Sequence, residues 1–275
     1  MSALPEYRVR ARNCSTESEN TIHADEAARQ FGFQGGLVPG IVVFGYAIKP
    51  VIDSYGLAWL ERGYVRIKLQ QPVYDGDAVV VHAHGSSETD ALELALSVER
   101  GPDLVCATGE AALVQTRVPC DLQSYPESPL PPKSERPQAS RDILAPGTVL
   151  GTVNQRLDSS QSRVFAALNE ANPHFLGPRA MAHPAVLLEL ANQALMQNVR
   201  LGPWLHAAST VTNWSAARNG DDVQVRSRVA ECYERKGHEF VVLDLVLLGA
   251  GDRLIQHITH TAIFRPKFVA AAQTT

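Results

Sequence analysis

Apolar and polar residues alternate along Tyr64-Val65-Arg66-Ile67-Lys68-Leu69, the pattern of a strand with one buried face. A Gly76-Asp77 turn follows, then an apolar stretch from Ala78 to Val81, then two more strand-like runs, "ALELALSVER" and "LVCATGEAALV". The same succession returns as "ASTVTNW", an Asn219-Gly220 turn, "VQVRSRV", "EFVVLDLVLL" and "LIQHITHTAIF". Each set predicts an antiparallel meander of three or four strands. Ahead of each meander lies a longer apolar run, Ile41 to Ile52 and Ala185 to Met196, that predicts a helix. The first run is apolar on nearly every side, so its helix should be buried nearly all round, and Pro50 should break or kink it late. The second opens at Pro184, which fits a first helical turn because no N–H partner is lost there. It carries a polar stripe, Glu189, Gln193 and Gln197, flanked by Asn192.

The two successions keep one offset. Adding 144 to Pro39-Gly40 gives His183-Pro184, and adding it to Gly76-Asp77 gives Gly220-Asp221. A helix start and a hairpin turn that share an offset predict a tandem duplication. Residues 119–146 hold seven prolines among Ser, Glu and Lys, too many for a helix or an inner strand. They predict a linker between a domain at 1–118 and a second at 147–275. One long helix and one antiparallel sheet per half make an α+β protein. A buried helix wrapped by a curved antiparallel sheet is the hotdog architecture, and two tandem copies predict a double hotdog.

Composition agrees with this picture and removes some functions. The chain has 275 residues, 45% hydrophobic and 20% charged, an ordinary globular balance that suits two domains. The net charge is −4 and no Lys/Arg block occurs, which argues against a nucleic-acid partner or an anionic membrane surface. The N-terminus "MSALPEYRVR" has no apolar core and no apolar run reaches ~18 residues, so neither a signal peptide nor a membrane span is expected. Cys14, Cys106, Cys120 and Cys232 lie far apart and predict free thiols in a reducing cytoplasm. His82 with His84 and His257 with His260 lie in strand-like segments; no third metal ligand is evident, and solvated strand faces account for them.

"Asn20-Thr21-Ile22-His23-Ala24-Asp25-Glu26-Ala27-Ala28", followed by "Gly35-Gly36-Leu37-Val38-Pro39-Gly40", resembles the hydratase loop and helix start of MaoC-like (R)-specific enoyl-CoA hydratases and dehydratases. That family's pattern is Asp-x-Asn-Pro-(Ile/Leu)-His, then His-x-Asp with Ala shortly after, then Ala-His-Gly at the helix N-terminus. The resemblance covers about residues 18–81 and is weaker across 161–264, where "Glu170-Ala171-Asn172-Pro173-His174" and "Ala182-His183-Pro184" echo it. A second likeness runs through "His174-Phe175-Leu176-Gly177 … Met181 … Leu187-Leu188-Glu189 … Gln193". It is similar to the β-hydroxyacyl carrier-protein dehydratase pattern His-Phe-x-Gly … Met-Pro-Gly … Glu-Ala-x-Ala-Gln, with one extra residue before the Glu. In that second family the His and the Glu come from opposite subunits of a dimer.

These resemblances imply a hydro-lyase acting on an acyl-CoA or acyl-carrier-protein thioester, with no metal or redox cofactor, and they allow a homodimer of pseudo-dimers. Adding water across an unsaturated thioester needs a base for the water, an acid for the α-carbon, and a donor for the thioester oxygen as it gains enolate charge. The resemblance places His23 as principal acid/base, with Asn20 and Asp25 beside it. The mirror logic of the pseudo-dimer brings Glu189 of the second helix to His23. The amide of Gly40, at the positive end of a helix, supplies the oxyanion donor, with Val38 and Pro39 lining the same approach. His174 and His183 are the corresponding candidates of the second half. A thioesterase in which Glu189 alone activates water and a non-catalytic acyl-binding subunit remain alternatives.

Departures are visible as well. The family Asp falls on Ser18, the family Pro on Thr21, and the His of Ala-His-Gly on Pro39. In the second half the Asp position is Glu170 and the His position is Phe175. Structural roles compete with catalytic ones throughout: Asp25 as a helix cap, Asn20 in an Asx turn, His23 and His183 as caps, and Glu189 as a helix carboxylate that, if buried, needs a partner or a raised pKa.

Overall fold

The computed structural model describes residues 4–85, 92–98, 104–115, 117, 120–158, 160, 162–178 and 180–267. Among them, ten strands form one antiparallel sheet. They are β1 Tyr7–Arg10, β2 Gly63–Leu69, β3 Ala78–Gly85, β4 Leu92–Val98, β5 Val105–Leu113, β6 Val153–Arg156, β7 Leu205–Asn213, β8 Asp222–Arg235, β9 His238–Gly249 and β10 Arg253–Arg265. Their order is β1-β3-β4-β5-β2-β7-β10-β9-β8-β6. It reads the same from either end once each first-half strand is matched to its second-half counterpart. The halves meet where β2 pairs with β7, from Tyr64 opposite Thr212 to Lys68 opposite Ala208.

The helices are α1 Asp25–Gln30, α2 Gly40–Tyr55, α3 Leu57–Arg62, α4 Arg163–Leu168 and α5 Pro184–Met196. In α2, eleven residues are buried, as an all-round apolar helix must be. It packs on α4 and α5 as well as on the sheet. Gly45 permits this approach: a Cβ there would overlap the Leu168 side chain and stand 3.2 Å from the Ala185 Cβ. This is the double hotdog, two buried helices enclosed by one continuous curved sheet.

The repeat extends to single hydrogen bonds. The Val38 amide bonds the Val73 carbonyl, and 144 residues on the Ala182 amide bonds Ala217. Asp77 accepts from the Tyr74 amide at 2.7 Å and Asp221 from Arg218 at 3.1 Å. Gly76 and Gly220 sit in these turns at φ of 79° and 90°, a region that glycine enters without strain.

The structure corrects one sequence expectation and adds two features. Helix α2 does not end at Pro50 but runs through it to Tyr55. A proline inside a helix removes one N–H bond; here it does so in a wall where Pro50, Val51 and Ile52 are all buried. Strands β1 and β6, four residues each, were not foreseen. The proline-rich stretch packs on the body of the protein: Tyr125, Ala139 and Leu144 are buried, and Tyr125 bonds Asp244 at 2.9 Å. No helix among the described residues is long and apolar enough to cross a membrane.

Candidate active site

Asn20 opens the first-half loop by capping a single 3-10 turn, Thr21–His23, its side chain accepting from the Ile22 amide. The same side chain reaches the second half. It accepts the Trp204 amide proton at 3.2 Å and donates to the Trp204 carbonyl at 3.0 Å. Asn20 is 5% exposed, so these bonds leave no polar group of its side chain stranded.

His23 closes the turn. Its Nδ1 lies 2.7 Å from the Leu37 carbonyl oxygen. A carbonyl only accepts, so Nδ1 carries the proton and Nε2 bears the lone pair. The Asn20 amide nitrogen stands 3.3 Å from that Nε2. Burial lowers the His23 pKa below 6.5, opposed in part by the Leu37 carbonyl. The ring is a neutral base with a fixed tautomer.

The start of α2 is bare. Pro39 at its N-cap offers no side-chain acceptor, and the Val42 and Val43 amides both turn back to the Pro39 carbonyl. The Gly40 and Ile41 amides are left without a partner at the positive end of a 16-residue helix. Glycine is required here: a Cβ on Gly40 would stand 2.6 Å from Leu69 Cδ1 and 2.8 Å from both Cβ and Nδ1 of His206.

Asn20, His23 and Gly40 meet at one cavity of about 180 Å3. Asn20, His23, Val38, Pro39 and Gly40 line it from the first half, and Asn192, Trp204, His206 and Ile263 from the second. Ile22, Phe33, Leu37, Val43 and Val73 make the rest largely apolar. The cavity therefore straddles the junction of the two halves, beside the β2–β7 seam.

The other candidates lie elsewhere. Asp25 does not face His23: its Oδ1 accepts from the Gly36 amide at 2.8 Å and its Oδ2 from Arg29 at 3.2 Å, which shapes the loop entering α2. Glu189 does not line the cavity. Its nearest polar partner is Ser162 Oγ at 3.4 Å, and burial raises its pKa above 4.5. The residue of α5 that does reach the cavity is Asn192, one helical turn further on, whose buried Oδ1 has no hydrogen-bond partner. His174 is exposed, and its backbone amide bonds Asn172. His260, expected on a solvated face, is fully buried and bonded through Nδ1 to Ser209 Oγ at 3.0 Å. It lies three positions beyond His257, and an odd spacing places two strand residues on opposite faces. Trp204 and His206 carry no motif. Only their place at the start of the strand that meets β2 could have singled them out.

The equivalent place in the second half is filled. Pro184 has no amide proton, and His183 Nδ1 caps the Ala185 amide at 3.1 Å. The His183 ring packs against Phe175, 4.7 Å between centroids, at the position of the family His. Its Nε2 faces the buried Glu170 carboxylate at 3.7 Å, with Lys49 at 3.8 Å from the other oxygen. Burial would raise the Glu170 pKa. His183, the Asn172 amide and Lys49 together outweigh this and keep it ionised. His183, 1% exposed, thus serves as cap and packing.

No family model matches the chain, and no curated protein matches its sequence. Solved structures do match. Rv0216 of Mycobacterium tuberculosis, reported to have a double hotdog fold, superposes with a TM-score of 0.65 at 14% identity, covering 96% of each chain. A protein assigned as a MaoC domain dehydratase from Chloroflexus aurantiacus gives 0.63 at 10% identity over 97% of this chain and 95% of that one. A protein assigned as an oleoyl thioesterase from Lactobacillus plantarum gives 0.52 at 11% identity over 97% and 98%. At such identities the likeness is one of architecture: the chain is a double hotdog, with MaoC-like dehydratases and hotdog thioesterases among its structural neighbours.

Proposed function

We propose that the protein is a hydro-lyase that adds water to an α,β-unsaturated acyl thioester, or removes it from the 3-hydroxyacyl thioester. One observation carries this reading. His23, whose Nε2 bears the lone pair, and Gly40, whose amide has no partner, line the same largely apolar cavity. The thioester oxygen sits at the helix start, where the Gly40 amide meets the charge that grows on it. Water takes the Nε2 site, replacing the long 3.3 Å contact with Asn20, whose amide then holds the water oxygen. His23 accepts one proton as the hydroxyl bonds to the β-carbon. The imidazolium returns that proton to the α-carbon as the enolate collapses, so atoms and charge balance with a single acid/base.

The acyl group is short. A cavity of about 180 Å3 is comparable to the ~150 Å3 apolar cavities that accept benzene. CoA and carrier-protein thioesters present the same reacting atoms. On this reading each half, 1–118 and 147–275, is one hotdog unit, and the first-half loop does the chemistry with walls borrowed from the second.

Hydrolysis is the second reading, and one observation favours it. Among the described residues lining the cavity there is no carboxylate, and Ser18 stands where the family Asp would. His23-activated water would then attack the carbonyl carbon instead of the β-carbon. A panel of crotonyl-, 3-hydroxybutyryl- and butyryl-CoA, with products resolved by mass spectrometry, decides. Gain or loss of one water supports the hydro-lyase. Free acid alone overturns it in favour of hydrolysis, and tight binding without turnover overturns both in favour of an acyl-binding role.

A further inference from the structure

Beside the bare start of α2 lies a polar chain that the reaction above does not use. His206 is 9% exposed and His260 0%. His206 Nε2 bonds Ser209 Oγ at 2.8 Å, and Ser209 Oγ bonds His260 Nδ1 at 3.0 Å. The remaining nitrogen at each end, His206 Nδ1 and His260 Nε2, is buried without a partner. His206 lines the cavity, and its Nδ1 is the atom that would stand 2.8 Å from a Cβ placed on Gly40. We propose that His206 is a second donor to the thioester carbonyl oxygen, its Nδ1–H acting beside the Gly40 amide, with Ser209 and His260 as positioning residues. The inference rests on the reading of this cavity as a thioester site.

The proton count along the chain supports the donor form. Ser209 has one proton to give and two imidazoles to meet. If it donates to His206 Nε2, His260 Nδ1–H donates to Ser209, His206 keeps its proton on Nδ1, and His260 Nε2 is a bare acceptor. If it donates to His260 instead, His206 Nδ1 is bare and His260 Nε2–H is an orphaned donor sealed in the core. Either arrangement leaves one buried donor unpartnered in the free protein, His206 Nδ1–H or His260 Nε2–H, which is costly. Of the two residues His206 lines the cavity, so only in the first arrangement can a substrate oxygen that enters there relieve the cost. Both rings are also held neutral. Burial lowers His206 to about 4, with the Ala208 backbone opposing, and lowers His260 well below 6.5, with His206 adding to the effect. A neutral imidazole N–H polarises a carbonyl without placing a full charge in the cavity.

Two measurements test this. In the free protein, the 15N chemical shifts of the imidazole nitrogens report the tautomer. The expected result is His206 protonated on Nδ1; an Nε2-protonated His206 overturns the proposal. With butyryl-CoA labelled with 13C at the carbonyl, the infrared carbonyl band of the bound thioester should fall in frequency on wild-type protein. It should recover part of the way in His206→Leu, stay lowered in His206→Gln, which keeps a donor, and move partly in Ser209→Ala as the tautomer is released. A band unchanged in all three variants, or unshifted in the wild type, overturns the proposal. For crotonyl-CoA, His206→Leu should lower kcat roughly 10²–10³-fold with KM nearly constant. Carbonyl polarisation with no hydration of any enoyl-CoA would refute the hydro-lyase reading alone. Hydration that survives His206→Leu with an unmoved band would refute this inference alone.

Discussion

His183 accepts the Ala185 amide proton at 3.1 Å, whereas Pro39, at the equivalent position, leaves the Gly40 and Ile41 amides bare. The two helix starts are related by the repeat, yet one is closed by its own side chain and the other is open. Replacing His183 should therefore cost stability without harming the open site. His183→Ala is expected to lower unfolding free energy by at least about 1 kcal/mol, the usual worth of an N-cap. The lost packing on Phe175 adds to this. Urea denaturation measures the loss, and turnover of crotonyl-CoA should persist.

On the proposed mechanism, His23 is the group on which the chemistry turns. His23→Gln keeps a polar side chain of similar reach but has no titratable nitrogen. It should lower kcat/KM for hydration by roughly 10²–10⁴-fold, the ordinary contribution of general acid-base catalysis. Butyryl-CoA affinity should change little, because the apolar walls remain. Equal losses in binding and turnover would show that His23 holds the loop rather than moves protons.

Gly40→Ala tests the crowded helix start. Its Cβ would meet Leu69 and His206 at 2.6 and 2.8 Å, so one or both must shift. Overpacking of this kind costs about 1–3 kcal/mol. Differential scanning calorimetry should record a lower Tm, and kcat should fall because the methyl group displaces the thioester oxygen from the amide.

Glu189 gives the opposite sign. Burial raises its pKa above 4.5, with only Ser162 opposing. A carboxyl whose folded pKa exceeds its unfolded value stabilises the fold below the unfolded value, and that contribution is lost as pH rises through the folded one. Above both, ionised Glu189 is a cost. Glu189→Gln should raise Tm at pH 8 relative to wild type, with the advantage shrinking towards pH 4. Since Glu189 does not line the cavity, hydration should survive the change; its loss would restore Glu189 to the mechanism.

The buried imidazoles set an acid limit. Burial depresses the His206 pKa from 6.5 to about 4. The stability this neutral ring contributes is complete above 6.5 and is lost as pH falls from there towards 4, because the unfolded chain binds the proton first. At about 1.4 kcal/mol per pH unit, the loss attributable to His206 reaches about 3 kcal/mol. His260 shifts in the same direction. Denaturation midpoints measured from pH 7.5 to 4.5 should fall steeply in the wild type and less in His206→Leu.

Much of the architecture was legible because its signals are local. Alternation along residues 64–69, the Gly76 and Gly220 turns and the apolar run after Pro39 each follow from a few neighbouring residues. Strands β1 and β6 were not legible, because four-residue strands at the sheet edges have too few positions to show a period. The loop from Asn20 to His23 could be found because the Asn, the His and the glycine ahead of the helix keep a recognisable order. Glu189 falls outside the cavity lining, and the register of the likeness offers a geometric reason. The likeness that pointed to it carried one extra residue before the Glu, and one residue turns an α-helix by about 100°. Asn192 occupies the cavity wall instead. His206 and Ser209 were invisible because they meet His260 only across paired strands.

One continuous chain carries both repeats, and the β2–β7 ladder joins their sheets by hydrogen bonds. In an assembly of identical subunits every substitution strikes both sites at once, so a site can be given up only if its twin is given up too. Fusion removes that bond of fate. Phe175 and His183 pack together at one helix start while the Gly40 amide stays open at the other, and within a single chain either end can change without its twin.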